Sequence, residues 1–306
     1  MGTTTQAAGP DNLKSSLEPG DHTVNLNGVD LHYRVCGDGP LLFLISPGWG
    51  VGSGYLQRGF SFLRERFRLV FVDTRGSGLS GRPADHTKMS SNDMADDLEA
   101  LREYLGLSAL QLLGHSNSGS IALFYAGRYQ DRVDKLVLID SEVRGISAGG
   151  HTQAFLEARA EDPRYRAAVQ AAIGHFSGKG KSFMSDADLS GFVAETLPLF
   201  LKNPEKNLAL AKEQLLVEQI SLYAFEAQNA ADQAAEDDQT TLFDQVRAPA
   251  LVMVGRHDWL CPVPVAERLH AGIRSARLVT FEESGHFPWI EEPEKFAAEL
   301  LRFLRG

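Results

Sequence analysis

Short apolar runs, separated by longer stretches of mixed polarity, set the plan of this chain. Positions 40–45, 68–72, 110–113, 135–139, 250–254 and 276–281 are such runs, rich in Leu, Val, Ile and Phe. Runs this short and this apolar suit strands buried on both faces, as in a parallel sheet. Ahead of them, 22–26 and 30–36 alternate polar and apolar residues on either side of Asn27-Gly28. That is a hairpin signal, and it belongs at an antiparallel start of the sheet. Helical patterns lie between the runs. Positions 92–105 bring Met94, Leu98, Leu101, Tyr104 and Leu105 to one face, with Ser90 or Ser91 available as N-cap. Positions 118–129 and 294–304 also read as helices. Strand and helix in alternation predict a doubly wound, mostly parallel α/β sheet.

The alternation stops between 143 and 246. Helical stretches near 152–172, 186–200, 204–219 and 220–233 fill that interval, with a loop rich in glycine and lysine at 174–181. The pattern therefore divides the chain into a core of 21–142 and 247–306 and a helical cap of 143–246, inserted after the sixth strand. Within the cap, Phe192, Phe200 and Tyr223 are candidates to line a substrate pocket, and the acidic stretch 232–239 reads as a solvated return linker. Residues 1–20 are polar without an apolar core, which predicts a flexible N-terminal segment, neither a signal peptide nor a membrane span.

Composition narrows the function classes. Thirty basic against forty acidic residues give a net charge of −10, which argues against non-specific binding to nucleic acid or an anionic membrane. Cys36 and Cys261 form neither a disulfide framework nor a zinc ligand set, and no histidine pair has metal-ligand spacing. The expectation is a cytoplasmic protein that acts on a small molecule without metal or cofactor, and that is compatible with a homodimer.

The candidate chemistry begins at Gly114-His115-Ser116-Asn117-Ser118-Gly119, directly after the run 110–113. A serine between small residues, where a strand turns sharply into a helix, reads as a nucleophile elbow. A serine hydroxyl needs a base, and the base needs an orienting acid. Asp258 follows the run 250–254 and His286 follows the run 276–281. The C-terminal ends of parallel strands share one edge of a sheet, so Ser116, Asp258 and His286 can meet there. His115 reads as structural, and His257 as a turn residue.

These residues resemble the α/β-hydrolase superfamily over about 22–305, and within it the branch of proline iminopeptidases and small ester or lactone hydrolases. Asp73-Thr74-Arg75-Gly76-Ser77-Gly78-Leu79-Ser80 is similar to the D-x-R-G-x-G-x-S loop after the fourth strand of that branch. Gly285-His286-Phe287-Pro288 and Glu292-Pro293-Glu294-Lys295-Phe296 are similar to its histidine loop and last helix. The resemblance implies an oxyanion hole made of two backbone N–H groups. Asn117 supplies one. The loop Ser46-Pro47-Gly48-Trp49-Gly50, which replaces the family's His-Gly, supplies the other from Trp49, with Gly48 the next choice. Glu142 sits where some relatives place the acid, so it stands as the alternative to Asp258. The implied activity is hydrolysis of an ester or lactone, or an amide, through an acyl-enzyme. Removal of an N-terminal proline, and a ligand receptor without turnover, are the competing readings.

Overall fold

A computed structural model describes residues 16–306. Its strands are β1 Gly20–Leu26, β2 Val29–Cys36, β3 Leu41–Ile45, β4 Arg68–Val72, β5 Leu110–His115, β6 Val133–Ile139, β7 Ala250–Gly255 and β8 Ala276–Phe281. They form one sheet in the order β1-β2-β4-β3-β5-β6-β7-β8. The pairs β1–β2 and β2–β4 are antiparallel and the rest are parallel, so the expected doubly wound α/β sheet is present. Its central strands are mostly apolar because each face has its own core. Phe43 and Ile45, Leu136 and Leu138, and Val252 and Val254 point into one core. Leu42 and Leu44, Val137 and Ile139, and Leu251 and Met253 point into the other. The two-residue period of a strand, filled twice, gives the unbroken runs seen in the sequence.

The first core is closed by α2 Ser91–Tyr104, α3 Asn117–Arg128 and α9 Val263–Gly272. The second is closed by α1 Gly54–Gly59, the short α10 Pro288–Glu291 and α11 Pro293–Arg305. Ser90 caps α2 in a reciprocal box with Asp93, which satisfies two otherwise orphaned N–H groups. Between β6 and β7 lie α4 Gly149–Arg159, α5 Arg166–Phe176, α6 Asp186–Thr196, α7 Pro204–Leu215 and α8 Leu222–Ala235. The expected single helix at 152–172 is thus two helices, broken at a turn containing Pro163, whose ring removes a helical donor. Pro198 likewise turns the end of 186–200 into a 3₁₀ segment.

Two other expectations change. Residues 1–15 of the N-terminal segment lie outside the described residues. The described remainder is anchored rather than loose. Tyr33 Oη donates to the Ser16 carbonyl at 2.9 Å, Leu17 packs on the core, and β1 begins at Gly20. The stretch 232–239 is not a solvated linker at its ends, because Asp232 and Gln239 are both buried. Asp232 accepts from the Ser91 amide at 2.7 Å, and Gln239 exchanges hydrogen bonds with Ser120 at 2.8 and 2.9 Å. Among the described residues no helix is long and apolar enough to cross a membrane.

The loop after β4 is held by a buried carboxylate. Asp73 accepts from the Ser53 amide at 2.6 Å, the Leu79 amide at 3.0 Å and His32 Nδ1 at 2.9 Å. Burial pushes the Asp73 pKa up, but these bonds outweigh it and hold the group below its ordinary value. Burial lowers the His32 pKa, and its bond to Asp73 more than restores it, so His32 is raised. Asp73→Asn is expected to cost about 3 kcal/mol of unfolding free energy near pH 6, as when one partner of a buried pair is removed. The Asp73 contribution is present above the unfolded carboxylate value of about 3.9 and is lost as pH falls through the folded value. The His32 contribution is complete below about 6.5 and is lost as pH rises through its folded value. Chemical denaturation across pH should therefore show the wild-type advantage shrinking in both directions.

Candidate active site

The strand β5 runs into α3 through Ser116, which sits at φ 58° and ψ −129°. A non-glycine residue there is strained, and the surrounding packing must enforce it. The enforcement is visible. The Ser116 N–H donates to the Ile139 carbonyl at 3.0 Å, and its own carbonyl accepts from the Gly119 amide at 3.0 Å and the Glu142 amide at 3.1 Å. A Cβ on Gly114 would lie 2.3 Å from the Ser118 carbonyl oxygen, and one on Gly119 would lie 2.0 Å from Ser141 Oγ. These two positions demand glycine. Ser118 does more than stay small: its hydroxyl accepts from the His115 amide and donates to the His115 carbonyl, both at 2.8 Å. Among the described residues the Ser116 hydroxyl, half-buried at the sheet edge, has no hydrogen-bond partner.

Asp258 and His286 reach the same edge from the loops after β7 and β8. His286 Nδ1 and Asp258 Oδ2 are 2.7 Å apart and both side chains are buried. Asp258 also accepts from the Leu260 amide at 2.9 Å. Burial pushes the Asp258 pKa up, but the His286 contact and the Leu260 and Cys261 amides outweigh it, leaving the group lowered and ionised. The His286 backbone is fixed from two sides: its N–H donates to the Phe200 carbonyl at 2.8 Å, and its carbonyl accepts from His115 Nε2 at 2.9 Å. His115 and His286 have ring centroids 4.5 Å apart, which brings the histidine loop against the residue preceding Ser116. Burial drives the His115 pKa far down. The ring is therefore neutral, with Nδ1 accepting from Tyr55 Oη at 3.0 Å.

The carboxylate on His286 Nδ1 belongs to Asp258 and not to Glu142. Glu142 is tied through its peptide N–H to the Ser116 carbonyl, and burial together with the nearby Asp232 charge raises its carboxyl pKa. Sequence reasoning missed a further acid. Asp140, fully buried with φ 41°, accepts from the Gly255 amide at 2.8 Å. Burial, then the Asp258 charge, push its pKa well above the carboxylate range. Two buried carboxyls in one site cannot both ionise cheaply, so the negative charge rests on Asp258 and Asp140 is the neutral acid beside it. Asp258, Cys261 and His286 bring ligand-type atoms within 4.8 Å of one another. Burial raises the Cys261 thiol far above its ordinary value.

The oxyanion loop differs from expectation. Trp49 takes the left-handed conformation at φ 53°, and its N–H donates to Gln228 Oε1 at 2.6 Å. The donor expected to be open to substrate is thus engaged by a side chain of α8. A Cβ on Gly48 would lie 2.4 Å from the same oxygen, so the missing side chain makes room for Gln228. Asn117 is buried, and its Nδ2 donates to the Pro47 carbonyl at 2.7 Å. Of the expected pocket residues, Phe200 stands edge-on to His286 at 5.6 Å and to Trp259 at 5.6 Å. Phe192 instead packs with His175 and Phe183 around a separate cavity of about 610 Å³ between α5 and α6. Tyr223 lies beneath the Arg82 guanidinium at 4.3 Å, while its neighbour on α8, Phe225, leans on Trp49 at 5.5 Å.

Comparison with known proteins gives a consistent picture. The model of the alpha/beta hydrolase fold family matches residues 42–293. A proline iminopeptidase of Pestalotiopsis fici, PfmaB, is 28% identical, with 92% of this chain and 98% of that protein aligned. A thermophilic esterase of Thermogutta terrifontis superposes with a TM-score of 0.70 at 23% identity, over 93% of this chain and 98% of its own. An enol-lactonase of Burkholderia xenovorans superposes with a TM-score of 0.69 at 22% identity, over 93% of this chain and all of its own (100%). At such identities the structures speak for the fold alone.

Proposed function

The chain belongs to the alpha/beta hydrolase fold family, and from that premise we propose that it is a serine hydrolase that cleaves an ester or lactone bond of a small apolar substrate. The observation that carries the reading is the buried 2.7 Å contact between His286 Nδ1 and the Asp258 carboxylate, on the edge where the elbow presents Ser116. Asp258 fixes the imidazole with Nε2 as the free base. Nε2 takes the proton as Ser116 Oγ attacks the carbonyl carbon. The tetrahedral oxyanion is held by backbone N–H groups of Asn117 and of the Gly48-Trp49 loop. Collapse expels the alcohol, to which His286 returns the proton, and water repeats the sequence on the acyl-enzyme. Residues 143–246 act as the cap over this edge, with Phe200 beside His286 supplying an apolar wall. That wall favours a neutral ester or lactone over the charged amine of an N-terminal proline.

The test is a panel of aryl acetate, aryl hexanoate, macrocyclic lactone and proline aryl-amide, read by steady-state rates and by the intact mass of the quenched protein. The expected result is an acyl mass on the peptide containing Ser116, with ester and lactone turnover at least tenfold above the amide. Turnover confined to the proline amide would move the assignment to an aminopeptidase. No adduct and no turnover with any member would remove it.

A further inference from the structure

The polar contact between the cap helix α8 and the oxyanion loop has a consequence for the reaction. Gln228 is completely buried. Its amide orientation is set by its partners: Nε2 donates to Ser91 Oγ at 3.2 Å and to Asp232 Oδ2 at 3.3 Å, which leaves Oε1 to accept from Trp49. Ser91 Oγ, with one hydrogen to give, lies 3.0 Å from Asp232 Oδ2 and 3.2 Å from Asn117 Oδ1, and Asn117 Nδ2 donates to the Pro47 carbonyl. One buried network therefore joins α8 to both segments that would hold an oxyanion. The start of α8 is docked on the same loop. The Ser221 amide donates to the Gly50 carbonyl at 3.0 Å, and a Cβ on Gly50 would lie 2.2 Å from the Ser221 carbonyl oxygen.

We infer that Gln228 competes with substrate for the Trp49 amide, so that the reactive state forms only when the Gln228–Trp49 hydrogen bond breaks. The inference rests on the serine-hydrolase reading above. A backbone N–H has one hydrogen to give. While it is directed at a carboxamide oxygen 2.6 Å away, it cannot also neutralise charge developing on the substrate. A substrate carbonyl must replace Gln228 Oε1, and releasing Gln228 loosens its links to Ser91 and Asp232. Substrate occupancy and the seating of α8 are in this way opposed. Gln228 is a positioning residue: it acts through Trp49 and touches no reacting atom.

The experiment compares wild type with Gln228→Leu, which keeps bulk but removes the acceptor. Two quantities are measured: the acylation rate constant for p-nitrophenyl acetate in stopped flow, and the affinity for phenylboronic acid, which forms a tetrahedral adduct on a reactive serine. Competition predicts faster acylation and tighter boronate binding, each by about five- to tenfold, the worth of one hydrogen bond that need not be broken. Slower acylation and weaker boronate binding, or no change in either, would overturn it. A crystal structure of the wild-type boronate complex keeps the question decidable if the variant does not fold. Gln228 Oε1 out of hydrogen-bond range of the Trp49 amide supports competition, and the bond intact with boronate in place overturns it alone. A wild type that forms no adduct on Ser116 overturns the serine-hydrolase reading and this inference together.

Discussion

Ser116→Ala is expected to lower kcat for an aryl ester by about 10⁴- to 10⁶-fold and to leave stability within about 0.5 kcal/mol of wild type. The two halves of this expectation come from one observation. The Ser116 hydroxyl has no hydrogen-bond partner among the described residues, so its removal leaves no buried group unsatisfied. The strained backbone at φ 58° is held by backbone hydrogen bonds to Ile139, Gly119 and Glu142, none of which needs the side chain. What disappears is the atom proposed to attack carbon. Residual rate should come only from binding and oxyanion stabilisation, and the acyl mass should vanish from the elbow peptide. Paired kinetics and thermal unfolding on the two proteins check this. Retention of more than a tenth of the wild-type kcat in a folded variant would place the nucleophile elsewhere. Ser118→Ala provides the contrast. Its hydroxyl makes two bonds to His115, so that change should lower stability.

The parts of this fold that could be read from the sequence are those whose residue type follows from local geometry. The strands flanking the site are legible because each buries both faces and so admits only apolar residues, as at Leu42–Ile45 and Leu136–Ile139. Ser116, Asp258 and His286 are legible because each follows such a run. Several other buried polar residues are not legible. Asp232 and Gln239 stand in an acidic, polar stretch that looks solvated, and only partners far away in sequence, Ser91 and Ser120, reveal them as anchors. Gln228 looks like a surface residue of an ordinary helix until the loop at Trp49 is laid against it. Asp140 follows directly on β6, and its carboxyl is pushed toward the neutral form first by burial and then by the Asp258 charge that the fold brings near it. One signal was available. Gly48 and Gly50 flank Trp49, and two positions without side chains on either side of one residue mark a backbone that something approaches closely. An oxyanion donor at Trp49 would give that approach to substrate, whereas in this structure it is made by Gln228 and Ser221.

Asp258→Asn is expected to reduce kcat by about 10³- to 10⁴-fold, whereas Glu142→Gln should change it less than about threefold. The difference follows from what each carboxyl touches. Asp258 accepts the proton-bearing Nδ1 of His286 at 2.7 Å and is held ionised there. An asparagine in its place can turn its amide N–H toward Nδ1 and trap the ring with the proton on Nε2, where it can no longer accept one from Ser116. It also removes the charge that stabilises the imidazolium. Glu142 is tied to the site through its peptide N–H to the Ser116 carbonyl, a contact that glutamine keeps. Asp140 allows a sharper test. Its carboxyl is kept neutral by burial first and then by the Asp258 charge. Removing that charge lowers the cost of ionising Asp140, which can then supply part of the missing negative charge near His286. The double variant Asp140→Asn/Asp258→Asn should therefore fall below Asp258→Asn, although Asp140→Asn alone, which keeps an oxygen to accept from the Gly255 amide, should fall little. Steady-state kcat for the four proteins decides it. If the double variant equals Asp258→Asn, Asp140 is only a buried support for β7. If Glu142→Gln falls as far as Asp258→Asn, the orienting charge comes from Glu142.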